Sequence, residues 1–143
     1  LHSRVARSDI YAFSKVGVQV VVSGPRSLVP LHVFDLAEYE PDVRKAVKGA
    51  DMVYALRIQR ERQEEGLFPS IDEYHNQWGI NEEVLSHASK EAVVMHPGPM
   101  NRGVEIDSFV ADGDRCLVLD QVKSGVAVRM ALLFLYLAGG GDR

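Results

Sequence analysis

The sequence contains one cysteine, Cys116, and lacks the patterns that mark most metal, disulfide and nucleotide sites. A single cysteine excludes an internal disulfide and fits a reducing compartment, so we expect a cytoplasmic protein. Cys/His pairs at ligand spacing are missing, and we therefore expect neither a metal nor another cofactor. No G-x-G-x-x-G follows an apolar run, no P-loop is present, and no G-x-S-x-G elbow occurs. These absences disfavour dinucleotide binding and a serine hydrolase of the elbow type.

Positive charge and long apolar runs are also scarce. The formal net charge is -4 over 143 residues, which gives no attraction to nucleic acid or to an anionic membrane surface. The longest apolar stretch, 126–138, is interrupted by Arg129 and is too short to span a bilayer. With 46% hydrophobic and 25% charged residues, the composition is that of a globular domain with a sizeable core.

The periodicity of apolar residues alternates between helical and strand patterns. The predicted elements are a helix at 4–16, a strand at 18–23, an extended piece near 32–34, a helix near 41–48, a strand at 51–56, helices at 70–78 and 81–89, a strand at 92–95, and helices at 114–123 and 125–137. This order predicts a doubly wound, Rossmann-like parallel sheet with helices on both faces. The chain opens on a helix where such a sheet needs a strand, so we expect the first strand to be missing and the chain to be the back part of a longer polypeptide.

The segment "MHPGPMNRG", 95–103, directly follows the last predicted strand. Pro97 and Pro99 lack a backbone N–H and fix their own φ, so the strand must end there while the carbonyl groups remain as acceptors. The carboxyl ends of parallel strands are where ligands bind in open α/β sheets. For His96 we favour a buried hydrogen bond at the strand end over a chemical role, and for Arg102 a bracing role over an anion contact.

Two further segments place arginine where a small anion could bind. In "YALRIQRER", 54–62, period-two alternation puts Arg57 and Gln59 on one side of a strand end, and a guanidinium can hold a carboxylate through two hydrogen bonds. Arg4 and Arg7 lie in the first turn of a helix, where a cation opposes the helix dipole and indicates a bound anion as counter-charge. For Arg4 or Arg57 taken alone, a surface ion pair is an equally good interpretation.

Together, "HSRVARS", "LRIQRER" and "MHPGPMNRGVEI" occur in an order and at spacings that resemble the aspartate transcarbamoylase family. The resemblance continues through "QVKSGVAVRMALL" and covers essentially the whole chain as the carboxyl-terminal, aspartate-binding half of the catalytic subunit. Ornithine transcarbamoylases typically carry "HCLP" at the corresponding loop, whereas Pro97 follows the histidine here. The resemblance therefore favours aspartate over ornithine as the substrate.

The resemblance implies transfer of a carbamoyl group from carbamoyl phosphate to L-aspartate in pyrimidine synthesis. It implies an aspartate-binding domain at 1–124 and, at 125–143, a carboxyl-terminal helix that packs toward an absent carbamoyl-phosphate domain. The site residues it implies are Arg4, Arg57 and Gln59 for L-aspartate, and Pro97, Gly98 and Pro99 for the carbamoyl group.

The resemblance also implies an incomplete catalytic site. The family keeps its phosphate-binding motif, a catalytic histidine and further arginines in the amino-terminal domain, and completes the site across a trimer. We therefore expect the chain alone to be inactive and its full-length form to be a homotrimer, with a regulatory chain or a dihydroorotase as further partners that the resemblance leaves open. Two alternatives remain: a non-catalytic amino-acid-binding or regulatory module with this fold, and an ornithine-type transcarbamoylase.

Overall fold

The computed structural model describes residues 4–29, 35–58 and 70–138. In chain order the elements are α1 (Arg4–Lys15), β1 (Val21–Val22), a 3-10 turn (Arg26–Leu28), β2 (Glu38–Tyr39), α2 (Val43–Ala46), β3 (Met52–Tyr54), α3 (Ile71–Trp78), α4 (Glu82–Ser86), β4 (Val93–Met95), α5 (Ser108–Ala111), α6 (Val118–Leu133) and a π-helical turn (Phe134–Ala138). The predicted extended piece near 32–34 lies outside the described residues.

The described strands form two parallel pairs. β1 pairs with β2, and β3 pairs with β4 so that Val53 lies opposite Val94. Extended chain at Cys116 adds a third, parallel partner beside β4: the Val94 N–H donates to the Arg115 carbonyl (2.8 Å), and the Val94 carbonyl accepts from the Leu117 N–H (2.9 Å). The predicted parallel α/β class is confirmed.

Side chains cap three of the short helices at their first residues. Ser70 accepts a hydrogen bond from the Glu73 N–H, and Asn81 accepts one from the Val84 N–H, so α3 and α4 begin within one residue of the predicted helix starts at 70 and 81. At α2 the capping residue is Asp42, whose side chain accepts from the Arg44 N–H. Pro41, which the sequence places in the first helical turn, therefore lies outside the helix.

The prediction of two helices at 114–123 and 125–137 is wrong. The chain up to 117 is extended or turned because it pairs with β4, and α6 then runs unbroken from Val118 to Leu133. Gly125 does not stop the helix, since an interior glycine costs only about 1 kcal/mol relative to alanine. β2 and α5 are not predicted at all, because two and four residues are too few for a periodic pattern to be recognised.

The main core lies between the β3–β4 pair and helices α2, α4 and α5. Val94 and Ile106 are completely buried at its centre. Its buried members are Val43, Val47, Val53, Ala55, Ile80, Val84, Leu85, Val94, Ile106, Val110 and Ala111. A smaller cluster around Ile10 and Ala37 holds α1 against the β1–β2 pair. A third cluster, of Ile58, Tyr74 and Val104, packs the chain after β3 against α3.

Helix α6 is apolar and yet largely exposed. Val118 is buried, whereas the following large apolar side chains are open to solvent: Leu119, Val122, Val126, Val128, Met130, Leu132, Leu133, Phe134, Leu135, Tyr136 and Leu137. Among the described residues, no helix has the length and apolar character needed to cross a bilayer.

We expect Val84→Ala to lower the free energy of unfolding by about 2 kcal/mol, because it removes two methyl groups from a filled site. Val122→Ala is the matched control, since both valines are helical but Val84 is 2% exposed and Val122 is 54% exposed. Urea unfolding of the two variants measures the difference. Equal effects would contradict the assignment of the core to the β3–β4 side of the molecule.

Candidate functional site

The loop at 96–101 leaves the carboxyl end of β4 as a tight, fixed turn. Pro97 and Gly98 are half-buried and Pro99 is exposed. Gly98 adopts a φ of 65°, a conformation that glycine tolerates and most side chains do not, and its peptide bond to Pro99 is cis. The three residues predicted to bind the carbamoyl group thus form one turn at the edge where the sheet ends.

The imidazole of His96 holds this turn from inside. The ring is 0% exposed, its Nδ1 accepts from the Gly98 N–H (2.8 Å), and its Nε2 lies 3.1 Å from Glu105 Oε1. Because a backbone N–H can only donate, Nδ1 carries no proton, and the ring proton on Nε2 donates to the carboxylate. The ring is therefore neutral with one tautomer fixed, which confirms the buried-hydrogen-bond interpretation of His96.

Glu105, 2% exposed, collects the other hydrogen bonds of the loop. Its Oε1 also accepts from the Asn101 N–H (2.6 Å), and its Oε2 accepts from Asn101 Nδ2 (3.2 Å). A buried carboxylate is tolerated only when donors surround it, and here the donors come from both ends of the loop. Nothing in the sequence pattern singles out Glu105 or Asn101, although both lie within the "MHPGPMNRGVEI" motif.

Asn101 also joins the loop to the chain that leaves β3. Its Nδ2 donates to the Ile58 carbonyl (3.1 Å), and the Ala55 N–H donates to the Met95 carbonyl (2.9 Å). Arg57, which is half-buried, lies between these two attachments. The structure therefore brings the Arg57 segment and the proline loop to one edge, as the sequence predicts. Gln59 lies outside the described residues.

Arg4 is the first described residue, at the start of α1, and its side chain is exposed. Among the described residues no hydrogen bond or ion pair links this side chain to Arg57 or to the loop. Further along α1, Asp9 lies near Tyr54. The pKa of Tyr54 is raised mainly by burial and to a smaller extent by the charge of Asp9. Burial also raises the pKa of Asp9. Asp9 of α1 thus lies near the Tyr54 side chain at the end of β3, although Arg4 itself is not shown at the site.

Gln121 of α6 completes the attachments of the loop. Its Oε1 accepts from the His96 N–H (3.1 Å) and its Nε2 donates to the Tyr54 hydroxyl (2.6 Å). This bond lowers the pKa of Tyr54, against the larger effect of burial. No sequence pattern indicates this contact, because Gln121 lies far along the chain from both partners.

Arg102 pairs with Asp112, the residue that follows α5. Its two terminal nitrogens donate to the two carboxylate oxygens of Asp112, each at 2.7 Å, and Nη1 also lies 3.4 Å from the Ser108 carbonyl. The pair raises the pKa of Arg102 and lowers that of Asp112. These bonds agree with the bracing interpretation of Arg102, which stays a prediction. Within the described ranges, no three His, Cys, Asp or Glu side chains are grouped as metal ligands would be.

The fold and this edge define a class, the parallel α/β domains whose ligands lie at the carboxyl ends of neighbouring strands. The family model described as "Aspartate/ornithine carbamoyltransferase, Asp/Orn binding domain" matches residues 1–136. The chain belongs to this family, which confirms the resemblance read from its motifs.

Curated relatives carry the name aspartate carbamoyltransferase catalytic subunit. That of Halothermothrix orenii is 52% identical over 139 residues, covering 96% of this chain and 44% of the relative. That of Pelotomaculum thermopropionicum is 53% identical over 144 residues, covering 100% of this chain and 46% of the relative. The chain thus spans a little under half the length of the curated relatives it matches.

Solved structures of ornithine carbamoyltransferases have the same fold. The enzyme from Pyrococcus furiosus superposes with a TM-score of 0.80 at 28% identity, covering 94% of this chain and 46% of that one. The enzyme from Thermus thermophilus gives 0.79 at 22% identity, covering 92% and 44%. At 22% identity the second similarity shows the fold alone.

We expect Glu105→Gln to destabilise the chain by about 1–3 kcal/mol, because the new amide NH₂ would face donors of the loop. Glu91→Gln is the control, since Glu91 is exposed. Urea unfolding monitors both variants. Equal stability of the two would show that the Glu105 carboxylate does not hold the loop.

We expect the stabilisation from the Arg102–Asp112 pair to depend on pH in one direction. The pKa of Asp112 is lowered from 3.8, so the stabilisation is complete above that value and is lost as the pH falls through the lowered pKa. Asp112→Asn should therefore be less stable than the unchanged chain at about pH 7, and the difference should shrink as the pH falls through the lowered pKa. Asp114→Asn, at an exposed carboxylate outside the pair, is the control. A difference that persists undiminished in acid would contradict the ion pair.

Proposed function

We propose that this chain is the aspartate-binding half of an aspartate carbamoyltransferase. The reaction transfers the carbamoyl group of carbamoyl phosphate to the amino group of L-aspartate, giving N-carbamoyl-L-aspartate and phosphate for pyrimidine synthesis. The observation that carries the proposal is the joining of the Arg57 segment to the proline loop through Asn101, in a chain 52% identical to an aspartate carbamoyltransferase catalytic subunit.

Arginine is suited to L-aspartate because the substrate has two carboxylates. In the proposal Arg57 holds one of them through paired hydrogen bonds with help from Gln59, and Arg4 holds the other. Two separate anchors fix the direction of the amine, and a fixed direction replaces the entropy loss of a bimolecular encounter. The amine nitrogen then attacks the carbamoyl carbon, and the carbon–oxygen bond to phosphate breaks with its electron pair left on the phosphate. The proton lost by the amine is taken up by that phosphate.

The loop binds the carbamoyl group in this proposal. Pro97 and Pro99 have no N–H, so the turn presents carbonyl oxygens that accept hydrogen bonds from the carbamoyl NH₂. His96 accepts from the Gly98 N–H and is itself held by Glu105, so the peptide group that carries the Pro97 carbonyl is fixed before the substrate arrives. A prearranged site needs no reorganisation on binding.

The departing phosphate and the developing oxyanion need further donors, which we assign to an amino-terminal carbamoyl-phosphate domain. We divide the chain into a binding domain at 1–124 and a packing helix at 125–143, of which 139–143 lie outside the described residues. The exposed apolar side chains of α6 suit a helix that packs against another domain, although α6 itself runs through that boundary. Assembly as a homotrimer, a regulatory or dihydroorotase partner and a cytoplasmic location belong to the same proposal. The isolated chain is then inactive.

The direct test uses a chimaera in which this chain replaces the segment it matches in the Halothermothrix orenii catalytic subunit. We expect the chimaera to transfer carbamoyl to L-aspartate and not to L-ornithine, and the 143-residue chain alone to transfer to neither. Transfer to ornithine would favour the ornithine-type alternative, which has support in the 28% identical ornithine enzyme of the same fold. Tight aspartate binding without any transfer would favour the non-catalytic module.

In the active chimaera we expect Arg57→Lys to raise the KM for L-aspartate at least roughly tenfold, because lysine keeps the charge but loses the paired hydrogen bonds. Arg44→Lys is the control, since Arg44 is an exposed arginine paired with Glu83 on the α2–α4 surface. Steady-state kinetics at saturating carbamoyl phosphate measure both. An unchanged aspartate dependence in Arg57→Lys would remove Arg57 from the site.

A further inference from the structure

Along β4, the acceptor for the backbone N–H groups changes at His96 from a backbone carbonyl to a side-chain oxygen. Val94 donates to the Arg115 carbonyl, and since alternate residues of a strand face the same neighbour, the His96 N–H faces the same side. The next carbonyl along that partner is Leu117, but α6 begins there and the Gln121 N–H takes the Leu117 carbonyl at 2.8 Å. Gln121 in turn supplies its own Oε1 to the His96 N–H.

We propose that Gln121 is a positioning residue of the loop: its side-chain amide replaces the missing ladder partner of His96 and so makes the position of the proline turn depend on α6. The catalytic consequence rests on the proposed function, because it assumes that the turn binds the carbamoyl group. That Gln121 positions the loop does not depend on the proposed function.

The orientation of the Gln121 amide is determined by its partners. The His96 N–H can only donate, so the oxygen of the amide must face it, and the nitrogen then faces the Tyr54 hydroxyl at 2.6 Å. Tyr54 lies opposite Met95 in the β3–β4 ladder and three residues before Arg57. One amide therefore connects α6 to the two chain segments that form the candidate site.

The hydrogen bonds that fix the loop come from two different parts of the chain. Glu105 is bonded to the ring of His96 and to Asn101 at the far end of the loop, and it belongs to the same motif. Gln121 is bonded to the main chain of His96 and belongs to α6, whose later turns are apolar and exposed. The contacts that fix the position of α6 therefore also fix the position of the His96 main chain at the start of the turn. Loss of the Gln121 amide should loosen the turn without disturbing the core.

Amide hydrogen exchange of the 143-residue chain tests the positioning. We expect Gln121→Met to speed exchange of the His96 amide about tenfold relative to the Ala111 amide, a buried reference outside the loop that is bonded to the Asp107 carbonyl. Gln121→Glu keeps an acceptor and should stay near the unchanged chain. Gln77→Met, at an exposed glutamine bonded to Glu73, is the control. Equal acceleration at His96 and Ala111, or none, overturns the proposal.

Tyr54→Phe supplies a second, milder variant that serves even if Gln121→Met does not fold. It removes only the hydroxyl that accepts from Gln121 Nε2, so we expect a smaller acceleration at His96 and none at Ala111. In the Gln121→Met background the same change should add nothing, because its effect passes through the amide. An effect of Tyr54→Phe at Ala111 as large as at His96 contradicts this route.

Kinetics in the chimaera separate this inference from the proposed function. If the turn binds the carbamoyl group, Gln121→Met should raise the KM for carbamoyl phosphate roughly tenfold with little change in kcat, while Gln77→Met leaves both unchanged. An active chimaera with an unaltered KM in Gln121→Met rejects the catalytic consequence alone. A chimaera that transfers nothing rejects the proposed function, and the exchange experiment still decides whether Gln121 positions the loop.

Discussion

A neutral imidazole shared between a backbone N–H and a buried carboxylate is the interaction on which the candidate site depends. His96 accepts from Gly98 and donates to Glu105, and Glu105 in turn accepts from both the main chain and the side chain of Asn101. These bonds close the turn at both of its ends. Without them a turn rich in proline and glycine would have few backbone bonds of its own, since proline offers no N–H.

The hydrophobic core surrounds these buried polar groups and excludes water from them. Val94 and Ile106, both completely buried, lie two residues before His96 and directly after Glu105. Burial strengthens each hydrogen bond of the network and makes any unpaired member costly, so the loop has one favoured geometry. The same core packs against the β3–β4 pair, and Asn101 joins the Arg57 segment to the loop by its hydrogen bond to the Ile58 carbonyl. Packing and polar bonding thus bring the Arg57 segment and the loop to one edge of the sheet.

Local chemistry explains which parts could be predicted from the sequence. The alternation of strands and helices, the starts of the helices near 70 and 81, and the turn after β4 each depend on residues close together in the chain. Apart from the very short β2 and α5, the failures involve contacts between distant residues. Pairing of the chain at Cys116 with β4 overrides a helical pattern, and the grip of Gln121 on His96 depends on where α6 begins. A pattern of residues carries no signal for either contact.

The measurement that tests this account most directly is the ¹⁵N chemical shift of the two ring nitrogens of His96 at neutral pH. The account predicts an unprotonated Nδ1 and a protonated Nε2, the tautomer that Gly98 and Glu105 impose. It further predicts that Glu105→Gln weakens this preference whereas Glu91→Gln does not. A protonated Nδ1, or a ring that exchanges freely between tautomers, would contradict the claim that His96 holds the turn.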